Sequence, residues 1–519
     1  MAVGQTLSEN CNCSSREKAM VSKSHSQAGR VWPQQIPSKQ LAMRTTARQC
    51  ALQAARLIAP ARLPPIIPNG ILPYESVPTP SDDKSSLLTS QIHDYIDAKH
   101  KETQVGDIFR DQLGHVKGLW LSNPGNYQQV FEQEGEFPKS MKPEAWKIYN
   151  EDNKCKRGLF FMEGNEWHTC QRIVRPLMLS QKSSYNFGIQ LESLANSYVE
   201  SWGKRKKLRN LEEELYSYFL EGLMVVVFGR NYEGKSKKQI PRLVGGVRGL
   251  FTESARMTLY DPYSARKPGC PGHNVWRKFS SSMSGALSAG EDIVNENLKN
   301  CESGSLCANL ILAGLSISDV KRILIDLFLA AGDTTSHSMQ WVFYLISQKL
   351  EIQEKIAQEV KQVRGCIHSF TSQIPTLKGA VKEALRLYPV APFITRVLPH
   401  EAIIGNFHIP AETLVFMSTY TSGRDERFFS QPTRFWPERW GRRDSNKQVG
   451  VSHPLASMPF GHSTRNCVGK HLALTQMYLL LSKVLESHRV TCDNHEYIQY
   501  KMRLLATMNE PLQVTLTGR

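Results

Sequence analysis

The chain has eleven cysteines among 519 residues, yet no two of them form a CxxC pair. Cys11, Cys13, Cys50, Cys155, Cys170, Cys270, Cys301, Cys307, Cys366, Cys467 and Cys492 follow no regular spacing. That absence argues against a disulfide framework and against a zinc site, and for a reducing compartment. Long basic blocks are missing as well. The formal net charge is +16, but the basic residues are scattered apart from short clusters such as Lys204–Lys207 and Lys235–Lys238. Nucleic acid is therefore not the expected partner, and the excess suits an acidic protein or an anionic membrane surface. No apolar run near the N-terminus reaches the ~20 residues that cross a bilayer. No internal repeat is present.

Acids are scarce at the start. Residues 1–62 hold nine Lys/Arg and two acids, Glu9 and Glu17, and Leu41–Arg62 holds no acid. Arg44, Arg48 and Arg56 are spaced by multiples of four, which sets them near one helical face. Arginine-rich, acid-poor and amphipathic is the pattern of a mitochondrial transit peptide, expected here over residues 1–62; a plain basic tail is the competing reading. Residues 63–80 are dense in proline and read as an extended linker. Residues 81–519 read as one domain.

Apolar residues at three- and four-residue spacing recur through most of that domain, as in Leu208–Gly229 and the long stretch Ile317–Leu350. Between Arg396 and Tyr420 the texture changes to short β-rich runs broken by Gly405-Asn406 and Pro410. The expected fold class is mainly α with a small β region.

Three pieces hold candidate chemistry. The first is "MPFGHSTRNCVGKHLAL", Met458–Leu474. A lone cysteine is more often a small buried hydrophobe than a ligand. Cys467, however, sits where a loop becomes a helix, and free N–H groups and the helix dipole stabilise a thiolate there. Gly469 would let a bulky flat group approach, and Arg465 would reach an anionic part of it. The second is "AAGDTTS", Ala330–Ser336: a glycine, an acid and two hydroxyls in the middle of an apolar helix. It reads as a small, polar break that makes room beside a ligand and offers a proton path, or as a kink of no consequence. The third is the pair Glu383 and Arg386, i and i+3 in "KEALR", which alone says nothing beyond a surface ion pair.

Taken in order, "AAGDTT", "EALR", "FWPERW" and "FGHSTRNCVG" resemble the cytochrome P-450 family of haem-thiolate monooxygenases, over roughly Ser81–Arg519. The resemblance implies that family's fold, with haem b between a long central helix and the cysteine loop, and dioxygen as co-substrate. It implies Cys467 as the thiolate ligand of the haem iron, a ligand type that favours O–O cleavage. Phe460 and Gly461 would shape the loop, where Ser463 replaces a frequent glycine. Arg465 and Arg396 would pair with haem propionates. Trp167 would support them, with Gln171 or Arg172 supplying the next contact and Arg172 the residue favoured. Asp333 and Thr334 match the acid–alcohol pair that delivers protons during oxygen activation. Glu383, Arg386 and Arg439 match a buried charge triad.

The arginine-rich start is similar to the mitochondrial class, which takes electrons from a ferredoxin and its NADPH-dependent reductase on the matrix side of the inner membrane, with peripheral membrane association. In that class two lysines before the Glu–Arg pair dock the ferredoxin; Lys378 and Lys382 match them. "KRGLFFMEGNEW" is similar to arthropod ecdysteroidogenic members. This implies hydroxylation of an ecdysteroid precursor, with carbon 2 favoured, in a pocket walled by Leu329, Ala330, Val390, Ala391, Phe393 and Met508. Another sterol, a secosteroid or a xenobiotic is the alternative substrate. A non-catalytic haem sensor or carrier is the alternative of another class, and it would need no Asp333–Thr334 pair.

Overall fold

The computed structural model describes residues 71–79, 91–102, 106–113, 116–179, 187–229, 239–363, 373–441 and 450–519. The expected transit peptide, and residues 63–70 and 80 of the expected linker, lie outside these residues. The other part of that linker is not a linker. Leu72 exchanges backbone hydrogen bonds with Asn406 and His408 at 2.7 and 2.8 Å, and Val77 is buried in an apolar cluster. Leu72 lies on a strand edge, and Tyr74–Ser76 then makes a short 3-10 turn after Pro73.

Seven helices position the candidate site. They are α1 (Pro124–Glu132), α2 (Gly164–Leu179), α3 (Leu211–Phe228), α4 (Ile240–Met257), α5 (Ile317–Ser347), α6 (Pro375–Leu387) and α7 (Lys470–Ser487). The main apolar core gathers around α5, with Ile323, Leu324, Phe328, Met339 and Val342 inside it. α5 starts at Ser316, whose hydroxyl accepts from the Asp319 amide at 3.1 Å, a standard N-cap. The expected break at Ala330–Ser336 is absent: α5 is helical throughout its 31 residues. Its hydroxyls bond back one turn instead, Thr334 to the Ala330 carbonyl at 2.8 Å and Ser338 to the Thr334 carbonyl at 2.8 Å. Satisfied in this way, they do not interrupt the ladder.

The β part is small. Strands β1 (Ile108–Leu113), β2 (Val116–Leu121), β3 (Phe393–Val397), β4 (Ala402–Ile404), β5 (Phe407–Ile409) and β6 (Leu414–Ser418) follow the chain. Four of them make a sheet in the order β1-β2-β6-β3, antiparallel except for β2 beside β6. β4 and β5 form a separate hairpin. β3 leaves α6 almost at once, and this delivers Arg396 from the sheet towards the cysteine loop.

Candidate functional site

The cysteine loop closes on itself before α7 begins. The Cys467 amide donates to the Phe460 carbonyl at 2.8 Å, and the Gly461 amide to Met458 at 2.9 Å. α7 has no side-chain cap at its N-terminus. The N–H groups of Gly469 and Lys470 lie on the side of the Cys467 thiol. Burial pushes that thiol up, and those two N–H groups and the Lys470 charge oppose the rise. Cys467 is the one exposed cysteine among the described residues, although protein atoms crowd around it. It therefore opens onto an accessible space inside the fold. A Cβ at Gly469 would meet only the Cys467 Sγ, at 3.8 Å, so this glycine looks into the same space.

Cations surround the loop. The Arg465 guanidinium lies 3.9 Å from the centre of the Trp167 ring, and it donates to the Pro138 and Met162 carbonyls at 2.9 and 3.0 Å. Burial lowers its pKa to about 10. Arg396 is buried and donates to the His462 carbonyl at 3.1 Å, to its neighbour Thr395, and to Glu134. Sequence reasoning missed Glu134. It sits buried just beyond α1 and also accepts from the Ser463 hydroxyl, so one carboxylate ties α1, β3 and the cysteine loop together. Ser463 has a left-handed backbone, φ +63°, where a side chain is strained. A cleft of about 380 Å³ runs alongside, between Phe131, Glu134, Trp167, His168 and Ser463.

Gln171 and Arg172 take different environments on α2. Arg172 is exposed, while Gln171 is buried and donates to the Thr464 carbonyl at 3.0 Å, joined by Arg175 one turn on. Helical geometry decides this: a step of four from Trp167 stays near its face, and a step of five leaves it.

On α5, Ala330 is exposed and Thr334, four residues on, is half-buried, so one short stripe of the central helix faces accessible space. Gly332 and Asp333 point the other way and are buried. Gly332 thus makes no room for a ligand. A Cβ there would come within 2.6 Å of the Tyr216 ring of α3, so the glycine admits that ring. Tyr216 donates to Asp333 at 2.6 Å, and His337 Nε2 lies 3.5 Å from the same oxygen. Burial would raise the Asp333 pKa, but the nearby His337 ring and the Tyr216 hydrogen bond outweigh it and hold the acid below its usual range.

Glu383, Arg386 and Arg439 are brought together with no exposed side-chain surface. Arg386 meets Glu383 at 2.6 Å and Arg439 meets it at 2.8 Å. The Trp436 amide and Trp440 indole also donate to Glu383, at 3.1 and 2.8 Å. Gly379 allows this packing, since a Cβ would lie 2.3 Å from the Pro437 carbonyl. On the same helix Lys378 is half-buried and Lys382 exposed, with Lys382 Nζ 5.5 Å from the Trp440 ring. Burial, then the nearby charges of Lys378 and Lys470, lower the Lys382 pKa. Lys470 thus joins the pair named from sequence.

Of the six expected pocket residues, Ala330 and Ala391 are exposed. Leu329 and Met508 are buried in the main core, and Val390 is buried. Phe393 packs edge-on against Trp120 at 5.2 Å, inside the sheet's aromatic cluster. Its half-buried ring finds large apolar neighbours there because a β3 side chain on that face points into the sheet layer.

The sequence profile of the cytochrome P450 family matches residues 85–516. The chain belongs to that family. It is accordingly a monooxygenase of the haem- and dioxygen-using kind. Cytochrome P450 315a1, mitochondrial, of Drosophila melanogaster is 32% identical over 456 residues, covering 83% of this chain and 84% of that protein. The mitochondrial cholesterol side-chain cleavage enzyme of Oncorhynchus mykiss is 27% identical over 440 residues, covering 80% and 84%. A retinoic acid-bound cyanobacterial CYP120A1 superposes with a TM-score of 0.68 at 19% identity, covering 81% of this cytochrome P450 and 94% of the other, which bears on the fold. The residues present fit a haem. Cys467 offers a soft donor facing accessible space. Arg465 and Arg396 keep N–H donors beyond their two and three hydrogen bonds to protein. Ala330 lies exposed on the stripe of α5 that faces accessible space.

Proposed function

We propose that this cytochrome P450 is a mitochondrial steroid hydroxylase acting on an ecdysteroid precursor, with carbon 2 the favoured position, and fed with electrons by a ferredoxin on the matrix side of the inner membrane. The observation that carries the reading is the lysine face of Lys378, Lys382 and Lys470. Among the described residues none of the three has an acid within ion-pair distance, so the charge stays available to an acidic partner. The mitochondrial relatives support the compartment, and the cholesterol side-chain cleavage enzymes support a sterol-derived substrate.

In this reading Cys467 binds the haem iron and Arg465 and Arg396 hold the propionates, the latter sharing its guanidinium with Glu134. A haem held there would supply dioxygen activation, with one oxygen atom going to the substrate and one to water. Thr334 holds a water with its hydroxyl on the accessible stripe, and Asp333 supplies the proton behind it. The triad of Glu383, Arg386 and Arg439 fixes α6 to the segment that leads into the cysteine loop. Ala330 and Ala391 bound the substrate space.

The test is reconstitution of the haem-loaded chain with ferredoxin, its reductase and NADPH, followed by mass spectrometry on a panel of ecdysteroid precursors, sterols and secosteroids. A 2-deoxyecdysteroid gaining one oxygen at carbon 2 supports the full reading. Turnover of other sterols alone refutes the substrate, and turnover with a microsomal flavoprotein reductase but no ferredoxin refutes the partner.

A further inference from the structure

Asp333 has partners that proton delivery alone does not require. Tyr216 stands in the middle of α3, fully buried, and its phenol donates to Asp333 Oδ1 at 2.6 Å. His337 Nε2 approaches the same oxygen at 3.5 Å from one turn along α5. Gln340 Nε2 lies 3.1 Å from His337 Nδ1. With the amide assigned as donor there, Nδ1 accepts and the ring proton sits on Nε2, aimed at Asp333. The Arg248 guanidinium of α4 covers the Tyr216 ring at 5.2 Å and pairs with Glu212 at 3.0 Å. Tyr216, His337 and Arg248 thus face the acid, and Glu212 faces Tyr216. Gly332 is the cost of the arrangement: any larger residue would push the tyrosine ring away.

We infer that Tyr216 and His337 are positioning residues for Asp333, fixing its carboxylate as a hydrogen-bond acceptor turned into the seam between α3 and α5. The inference rests on the proposed role of Asp333 for its functional meaning but not for its geometry. A carboxylate so deeply buried would ordinarily be neutral, and the Tyr216 hydrogen bond together with the nearby His337 ring favours the ionised form. The acid is then empty when a proton reaches it, ready to take it up and pass it to the water held at Thr334.

Infrared spectra of the haem-loaded chain, each taken against its own Asp333→Asn counterpart, isolate the C=O stretch of a protonated Asp333. The wild type is expected to show no such band between about pH 6 and 8. Tyr216→Phe keeps the ring against Gly332 and removes only the donor; its Asp333 midpoint rises by about one pH unit. Tyr216→Phe with His337→Leu leaves burial opposed by Arg248 alone, and the band appears in the neutral range. His337→Leu alone serves if the double variant fails to fold. Folded variants with a lowered thermal midpoint but no band would overturn the inference, because that is what a purely structural role produces. Product per dioxygen in Asp333→Asn tests the acid's role separately. If it is unchanged while the band moves, the clamp stands and the proton-delivery role of Asp333 falls.

Discussion

Ser463 stands at a position where strain and hydrogen bonding oppose one another, and magnitudes decide which wins. Its left-handed φ of +63° costs a non-glycine residue about 1–2 kcal/mol. Its hydroxyl bonds to the buried Glu134 carboxylate, and a hydrogen bond to a charged group is worth about 1.5–3 kcal/mol. Ser463→Gly removes both, and it adds about 0.5–1 kcal/mol of chain entropy that folding must overcome. The net expectation is a loss of about 1–2 kcal/mol, although glycine is the residue that suits this backbone. Ser463→Ala keeps the strain and loses the bond, for a loss of about 2–3 kcal/mol. The order of stability is therefore Ser, then Gly, then Ala. Guanidinium unfolding of the haem-loaded chain, followed by tryptophan fluorescence and by the Soret band, measures it. Ser463→Gly equal to or more stable than wild type would refute the reasoning, since the strain would then exceed everything Glu134 contributes.

The other predictions concern the partner, the alcohol and the triad. Lys378→Glu with Lys382→Glu should slow ferredoxin-driven turnover at least tenfold at low salt and spare peroxide-driven turnover; equal loss by both routes would make the lysines structural. Thr334→Ala should lower product per dioxygen with little change in haem content, and an unchanged ratio would remove the hydroxyl from the proposed proton path. Glu383→Gln leaves two buried guanidiniums without their shared carboxylate and should cost about 3–5 kcal/mol. A cycle with Arg439→Gln measures the coupling, and a term below about 1 kcal/mol would contradict a triad acting as one unit.

The fold class was legible because the apolar period marks the helices, whereas α7 begins at Lys470, three residues past Cys467, with no side-chain cap to mark it. The meeting of Glu383 with Arg439 was legible only through the family resemblance that the order of motifs carries, since the two are far apart in the chain. What stayed hidden depended on tertiary neighbours. Gly332 and Thr334 look alike as interruptions of an apolar run, but they point to opposite sides of α5, one to Tyr216 and one to accessible space. Gln171 and Arg172 differ by one residue, and only the fold shows that Gln171 turns to the Thr464 carbonyl while Arg172 is exposed. Phe393 had the right character for a pocket wall, and only the pairing of β3 with β6 shows that its ring meets Trp120. Glu134 had no visible signal at all, because an acid after an amphipathic helix is ordinarily solvated.

The claim on which the rest depends is that Cys467 supplies the haem ligand. The reduced carbon monoxide complex of the purified full chain measures it most directly, comparing wild type with Cys467→Ala at matched haem content and matched far-ultraviolet circular dichroism. The wild type is predicted to show the red-shifted Soret band of a thiolate-ligated haem and Cys467→Ala to lack it. A folded Cys467→Ala protein that keeps the band would contradict the assignment.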